Sequence, residues 1–491
     1  MPTRRTFLVA AAAATAVGGG LLGLPRGRAT PTDAGGGLAP LPTPAGGREV
    51  PLTLSAAPRD IALPAFGGRA LPLWSFEAAS RFPLVVRMRI GDTLVAKVEN
   101  GIPAGQEEMT VHWHGIRLPN GEDGVPYLTQ KPIPFGASYE YRFTPPDTGT
   151  YWFHTHCNTV ESLGRGLLGI LVVEGDETRP YDGDLVLCLK DWRIGEDGFL
   201  PFSREEGAAR AGTFGPLRTV NGAVAPEIAL PAGGDVRLRL VNVDSSRIPQ
   251  LGIAGAEAAV VAIDGIAVTP FPLKAWRLGP AMRVDIVVRA PAEGGRASLV
   301  DYFAKEPVTL ATFVGAGPAL ARGAFDPAPL YAAPIPVPDL ANAETLAFTF
   351  SATATGTSVA SFAEAADGAP FLGPLCVADH SFWAINKAVW PSGSHAVLPP
   401  PLALLRRGAT YRFTLANVTP HVHPIHMHGH TFRVLSSSTR EVVPYHADTV
   451  LLTPKERLEV AFVADNPGDW MLHCHIIEHQ ETGMMGYFRV A

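Results

Sequence analysis

Ten of the fifteen histidines in this chain fall into four short segments. They are His112-Trp113-His114-Gly115, His154-Thr155-His156, His423-Pro424-Ile425-His426-Met427-His428 and His473-Cys474-His475-Ile476-Ile477-Glu478-His479, the last followed by Met484. No packing requirement spaces imidazoles this way, whereas metal binding does. On a strand, residues i and i+2 project from one face about 7 Å apart, so each His-x-His pair aims two rings at one spot. Four converging pairs supply eight imidazoles, twice the four ligands that close a structural zinc site. The surplus fits three metal ions that keep open positions for oxygen.

Cys474 stands between His473 and His475, and strand alternation turns its thiolate to the opposite face. It therefore serves a different ion. His423 and His479 complete a His₂Cys set, with Met484 as a weak axial ligand. Thiolate, imidazole and thioether together suit copper, and this combination is the blue-copper electron-transfer pattern. His421 competes with His423, but only His423 has the spacing ahead of His426 and His428. The short peptide from Cys474 to either neighbouring histidine wires this ion to the cluster behind it.

Strands must carry these side chains, and the composition agrees. The 51 glycines and 46 prolines, close to a fifth of the 491 residues, suit a turn-rich all-β chain that is too long for one core. A net charge of −6 leaves no basic footprint, so nucleic acid is not expected as a partner. A turn followed by an alternating strand recurs three times: Gly91-Asp92-Thr93 to Asn100, Gly234-Asp235-Val236 to Asn242, and Gly408-Ala409-Thr410 to Asn417. Three copies predict three similar β-sandwich domains, at 48–176, 177–330 and 340–491. The first and third share more, since Gly149–His156 matches Gly468–His475 and Val111–Gly115 matches Ile425–Gly429. No histidine lies between His156 and His380. The cluster is therefore expected where the outer two domains meet.

The N-terminus reads as an export signal. Thr3-Arg4-Arg5-Thr6-Phe7-Leu8 precedes an apolar stretch from Val9 to Leu22 that Gly18-Gly19-Gly20 interrupts. This fits a twin-arginine signal better than a membrane span of about 20 apolar residues. Small residues at Gly27-Arg28-Ala29 offer a cleavage site. Residues 1–29 are expected to be the signal and 30–47 a disordered linker, with a periplasmic or otherwise exported mature protein and the twin-arginine machinery as a partner. Exported cysteines can pair. With Cys474 a ligand, Cys157, Cys188 and Cys376 leave room for one bridge, whose partners stay open.

The four segments resemble the copper signatures of three-domain multicopper oxidases, the group containing laccases and bacterial cuprous oxidases. The resemblance covers nearly all of the mature chain, and all twelve ligand positions are filled. It implies three cupredoxin-like Greek-key β-sandwich or barrel domains and four copper ions. By resemblance His423, Cys474, His479 and Met484 hold the type 1 copper. His112 and His426 hold the type 2 copper, and His114, His154, His156, His428, His473 and His475 hold the type 3 pair. His380, His395, His421, His430 and His446 fall outside the pattern. The resemblance also implies one-electron oxidation of small reductants coupled to four-electron reduction of dioxygen to water, with Asp123 and Glu478 relaying protons. The plainer readings are an Asp-Gly turn for Asp123, a solvated surface acid for Glu478, and packing for Met485.

Electrons are expected to enter at an edge of His479 or His423. Of the eight methionines only Met484-Met485 cluster, without the methionine-rich insert common in cuprous oxidases. That favours laccase-like oxidation of phenols or aromatic amines over oxidation of cuprous or other metal ions in copper tolerance. A cupredoxin-like envelope scaffold and a copper-binding protein without turnover are the non-enzyme alternatives. The filled ligand set opposes the first, and a blue site wired to a dioxygen cluster is superfluous to the second. A monomer is expected.

Overall fold

The computed structural model describes residues 46–77, 82–103, 108–175, 181–332, 334–352, 381–390 and 398–491. The expected signal, the linker up to residue 45, Cys376, His380 and His395 lie outside the described residues.

The recurring turn-plus-strand unit takes the same topological place three times. Thr93–Asn100, Asp235–Asn242 and Thr410–Asn417 each pair in parallel with an earlier strand, Glu49–Ile61, Gly183–Trp192 or Glu344–Ser351. On the other side they pair antiparallel with Ser138–Phe143, Arg283–Arg289 and Arg457–Val463. The closing asparagine has a physical reason. Asn100, Asn242 and Asn417 each accept the backbone N–H two residues on with Oδ1, at 2.9, 3.1 and 2.8 Å. Each then donates from Nδ2 to loop carbonyls, so one buried amide locks the strand end to the loop that follows it.

Alternation behaves as predicted in the first copy, where Leu94, Ala96 and Val98 are buried and Lys97 is exposed. The middle copy departs from it. Arg237 and Arg239 are buried because that face packs on the first domain. Arg237 pairs with Asp285 at 2.6 Å, and Arg239 with Asp184 at 2.7 Å and Thr150 at 2.9 Å.

The sheets group into three cupredoxin-like sandwiches. The first has two four-stranded sheets; the second and third each have a six-stranded and a five-stranded sheet. A single buried apolar cluster runs from Leu54 and Trp113 in the first to Phe413 and Phe488 in the third, while the middle sandwich has its own around Leu238 and Ile286. That merged core holds the outer two domains together at the histidine segments. Among the described residues no helix is long and apolar enough to cross a membrane. Cys188 and Cys474 are buried free thiols.

Candidate metal centres

Strand register delivers the first rings. His112 lies opposite His154 on an antiparallel pair, with Trp113 opposite Phe153 and turned into the core. In the third domain His426 lies opposite His473 and Ile425 opposite Cys474. The strands end at His154, Met427 and Cys474, so His156, His428 and His475 stand just past them. Here the structure departs from the expectation of four pairs lying wholly on strands. The chain bends instead, fixed by His428 N–H to Met471 O at 3.0 Å and His475 N–H to Pro424 O at 2.7 Å. The second rings thereby wrap around the cluster.

The rings sort into sets whose ligand atoms lie within 4.8 Å of one another: His114, His154 and His475; His156, His428 and His473; and His112 and His426 beside His114. All are buried. Backbone carbonyls fix several tautomers. Nδ1–H donates from His112 to Asp123 O at 2.9 Å, from His154 to Thr155 O at 2.8 Å and from His426 to Asp448 O at 3.0 Å. The Nε2 lone pair of each then points inward without a partner. Counting His114 Nδ1, His156 Nε2 and both nitrogens of His475, seven buried ring nitrogens of this cluster lack a hydrogen-bond partner, as do His430 Nε2 and His446 Nε2 outside it. Each such group costs roughly 1–3 kcal/mol when left unmet.

His428 and His473 make the point sharply. Their Nδ1 protons are committed to Asp123 Oδ2 at 2.9 Å and Cys474 O at 3.0 Å, while their Nε2 atoms face each other at 3.0 Å. Two lone pairs so placed repel unless a cation sits against them. Burial, and then the neighbouring rings, pull His114, His154, His156, His428, His473 and His475 well below the ordinary histidine range. They are neutral imidazoles, the form that binds metal.

The sulfur-containing set is separate. His423 Nδ1 and His479 Nδ1 are 3.1 Å apart, and each is 3.6 Å from Cys474 Sγ. His479 donates its one ring proton from Nε2 to Arg210 O at 2.9 Å, and His423 Nε2 meets Thr419 Oγ1 at 2.9 Å. Trp383 packs on both rings, with centroids 4.4 and 5.1 Å away. Burial pushes the Cys474 thiol far up and His423 down to about 3, so a bound cation is what would make this sulfur a thiolate. Met484 is buried, gives its N–H to His479 O at 2.8 Å and accepts from Cys474 N–H at 3.0 Å. As strand alternation required, Cys474 faces this set while His473 joins the other. Met485 packs with Val125, Met471 and Tyr487.

The remaining described histidines stay outside every set. His421 is half-buried, edge-on to Trp383; His430 is buried among Phe462, Trp470 and Phe488; His446 lies opposite Arg433 on a strand pair.

Carboxylates behind the rings tie the domains together. Asp123 Oδ1 lies 3.3 Å from His112 Nδ1, and Oδ2 lies 2.9 Å from His428 Nδ1, so one acid holds a ring from each outer domain. It is also the predicted turn-former. Gly124 has φ +76°, and a Cβ there would meet Val111 O at 1.8 Å. Asp448, which sequence reasoning missed, lies 3.2 Å from His114 Nε2 and 3.4 Å from His426 Nδ1. It accepts two bonds from Arg283, at 2.9 and 2.5 Å. Arg283 also donates to Thr150 O and to Asp264 O, both at 3.0 Å. Desolvation would raise the Asp448 carboxyl, but Arg283 and His426 outweigh it and hold it below the usual carboxylate range. Gly115 leaves the space, since a Cβ there would lie 2.4 Å from Arg283 Nη2 and 2.5 Å from Asp448 Oδ2. The one signal in sequence was an acid heading the apolar run Thr449-Val450-Leu451-Leu452.

Burial decides between two readings of Glu478 and narrows the route to the sulfur-containing set. Glu478 is not a solvated surface acid: it is 1% exposed. It accepts from the Thr213 hydroxyl at 2.6 Å, from Thr213 N–H, and from Arg204 N–H at 3.2 Å. Burial pushes its carboxyl up to about 7, against the Thr213 and Arg204 hydrogen bonds. His423 and His479 are both 0% exposed, so an electron reaching either ring passes through the groups packed on it. The segment around Arg210 covers His479, and Trp383 packs on both rings.

Models of the multicopper oxidase family match residues 72–178, 186–302 and 377–491. The solved structure of a multi-copper oxidase from Pseudomonas thermotolerans superposes with a TM-score of 0.79 at 39% identity, covering 91% of this chain and 100% of that one. Multicopper oxidase MmcO of Mycobacterium tuberculosis is 29% identical over 82% of this chain and 80% of its own length. Laccase-1 of Botryotinia fuckeliana is 28% identical, over 80% and 74% respectively.

Proposed function

This chain belongs to the multicopper oxidase family, and from that premise we propose that it is a laccase-like oxidase whose reductants are phenols and aromatic amines. Four one-electron oxidations supply four electrons; with four protons they reduce one dioxygen to two waters. The observation that carries this reading is the pair of buried donor sets meeting at one residue. Cys474 faces His423 and His479, while its neighbours His473 and His475 belong to the eight-imidazole cluster. A scaffold or storage protein has no use for that connection.

In this reading His423, Cys474, His479 and Met484 would hold a type 1 copper. His112 and His426 hold a type 2 copper. His114, His154 and His475 hold one ion of a type 3 pair, and His156, His428 and His473 the other. The unpartnered ring nitrogens and the facing Nε2 atoms of His428 and His473 support the fit. Copper supplies the one-electron redox chemistry and the binding of dioxygen. The chain supplies geometry and protons. Asp123 orients His112 and His428 and is placed to pass protons to the cluster. Glu478, whose carboxyl is raised to about 7, is a second group able to hold a proton near neutrality. A thioether at Met484 fits a type 1 potential lower than an apolar residue there would give.

The test is a ranking. Purified, copper-loaded full chain is given a phenol, a cuprous complex and a manganous salt, and oxygen uptake is measured. The phenol should lead; a cuprous complex far ahead of it would reassign the enzyme to metal-ion oxidation. For location, we propose that residues 1–29 direct export of a monomer by the twin-arginine route. Replacing Arg4 and Arg5 by lysine should leave the protein in the cytoplasm.

A further inference from the structure

The segment Arg204–Phe214 of the middle domain lies over the sulfur-containing set and is pinned there from beneath. Arg204 N–H and Thr213, through its N–H and hydroxyl, donate to Glu478. Trp383 Nε1 donates to Ala208 O at 2.7 Å, and His479 Nε2 donates to Arg210 O at 2.9 Å. The outer side of this segment is open. Two adjoining grooves of about 540 and 350 Å³ share Arg204, Glu206 and Arg210, and the second runs on to Arg193, Thr213 and Phe214.

The lining has a definite chemistry. Phe214 is 43% exposed and offers a ring face. The Arg247 guanidinium lies 5.0 Å from its centroid, and Arg193 donates to its carbonyl at 2.6 Å. Arg210 is paired with Glu206 at 3.0 Å. Arg204 is exposed, and among the described residues no partner engages its guanidinium. An aromatic platform ringed by arginines, one of them uncommitted, suits a flat anion.

We propose that this groove docks aromatic reductants bearing an anionic group, such as phenolic carboxylates, with Arg204 as the residue that selects the charge. The inference rests on the phenol-oxidase reading above and names the substrate class. In the step, the phenol O–H bond breaks. The proton leaves to solvent in the open groove, and one electron passes through the Arg210 peptide carbonyl and its hydrogen bond to His479, leaving a phenoxyl radical. Four such events, with four protons, match one dioxygen reduced to two waters.

The test uses copper-loaded full chain and two phenols with the same ring, 2,6-dimethoxyphenol and its 4-carboxylate. The readout is the ratio of kcat/KM for the anionic substrate to that for the neutral one, which cancels changes in overall turnover. An exposed charge pair is worth up to about 1 kcal/mol, or roughly fivefold. Arg204→Gln should lower the ratio by about that factor, mainly through KM, and the loss should fade as salt rises. Glu206→Gln, which frees Arg210, should raise it. A ratio unmoved in both variants, or moving the same way in both, overturns the inference while leaving phenol oxidation standing. If the wild type oxidises neither phenol but does oxidise a cuprous complex, the reading beneath it fails as well.

Discussion

Arg283→Met should damage the copper cluster from a domain that contributes no ligand. Arg283 is 0% exposed. Its guanidinium satisfies Asp448 twice and the carbonyls of Thr150, Ala281 and Asp264 once each. Those partners come from all three sandwiches. Removing the cation strands a buried carboxylate, which costs about 3–5 kcal/mol. The orphaned carbonyls add to this, and protonation of Asp448 relieves part of it, so the same range is the expected net. An unfolding entropy of about 2.1 cal/mol/K per residue gives roughly 1 °C per kcal/mol for a unit of this length, so calorimetry of the metal-free protein should show the midpoint fall by about 3–5 °C. Arg283→Lys keeps the charge but loses the two-pronged geometry and should cost about 1–3 kcal/mol. Copper-loaded Arg283→Lys should show an altered type 2 resonance, because Asp448 also sits against His114 and His426. Asp448→Asn placed on top of Arg283→Met should recover part of the loss, since Asp448 then carries no unpaired charge and only Asp264, 3.5 Å from Arg283 Nη1, is left without its cation. A shift of under 1 kcal/mol for Arg283→Met, or strict additivity in the double variant, would refute the idea that this ion pair holds the junction.

Other consequences can be checked directly. Cys474→Ser should abolish the blue absorption and the oxidation of phenols together; a variant that stays blue would remove this cysteine from the type 1 site. Asp123→Asn should lower oxygen reduction about 10- to 100-fold, read by single-turnover reoxidation with the blue band intact, because one carboxylate orients His112 and His428. Burial, and then Asp244, push Asp191 up to about 7, with Arg247 opposing. The folded chain therefore holds a proton that the unfolded chain releases above about pH 4. This group's contribution is full below that value and lost as pH rises through 7. Thermal midpoints of metal-free protein between pH 5 and 8 should decline less steeply in Asp191→Asn.

Much of this architecture was legible before folding was considered, and particular residues show why. Strand alternation is a local rule, so the opposed directions of Cys474 and His473 follow from their adjacency. The asparagines closing the three repeated strands act on residues two positions away, and local geometry marks them. Asp448, Arg283 and Arg210 carry no such mark. Asp448 meets Arg283 across 165 positions, and Arg210 meets His479 across 269. Sequence reasoning placed Glu478 as a relay or a surface acid because its neighbours are ligands. It could not see that Thr213 would cover it, since burial depends on what arrives from elsewhere in the chain.

The linear order of side chains determined the donor inventory: which rings and which sulfur exist, their mutual spacing, and the three repeated strands that bear them. Folding decided how those donors divide into sets, which nitrogen of each ring is left bare, what shields the sulfur site from water, and where an electron can come in. The reason is range. Backbone periodicity acts over two to four residues, whereas desolvation and charge pairing depend on surfaces that only the packing of three domains brings within a few ångströms.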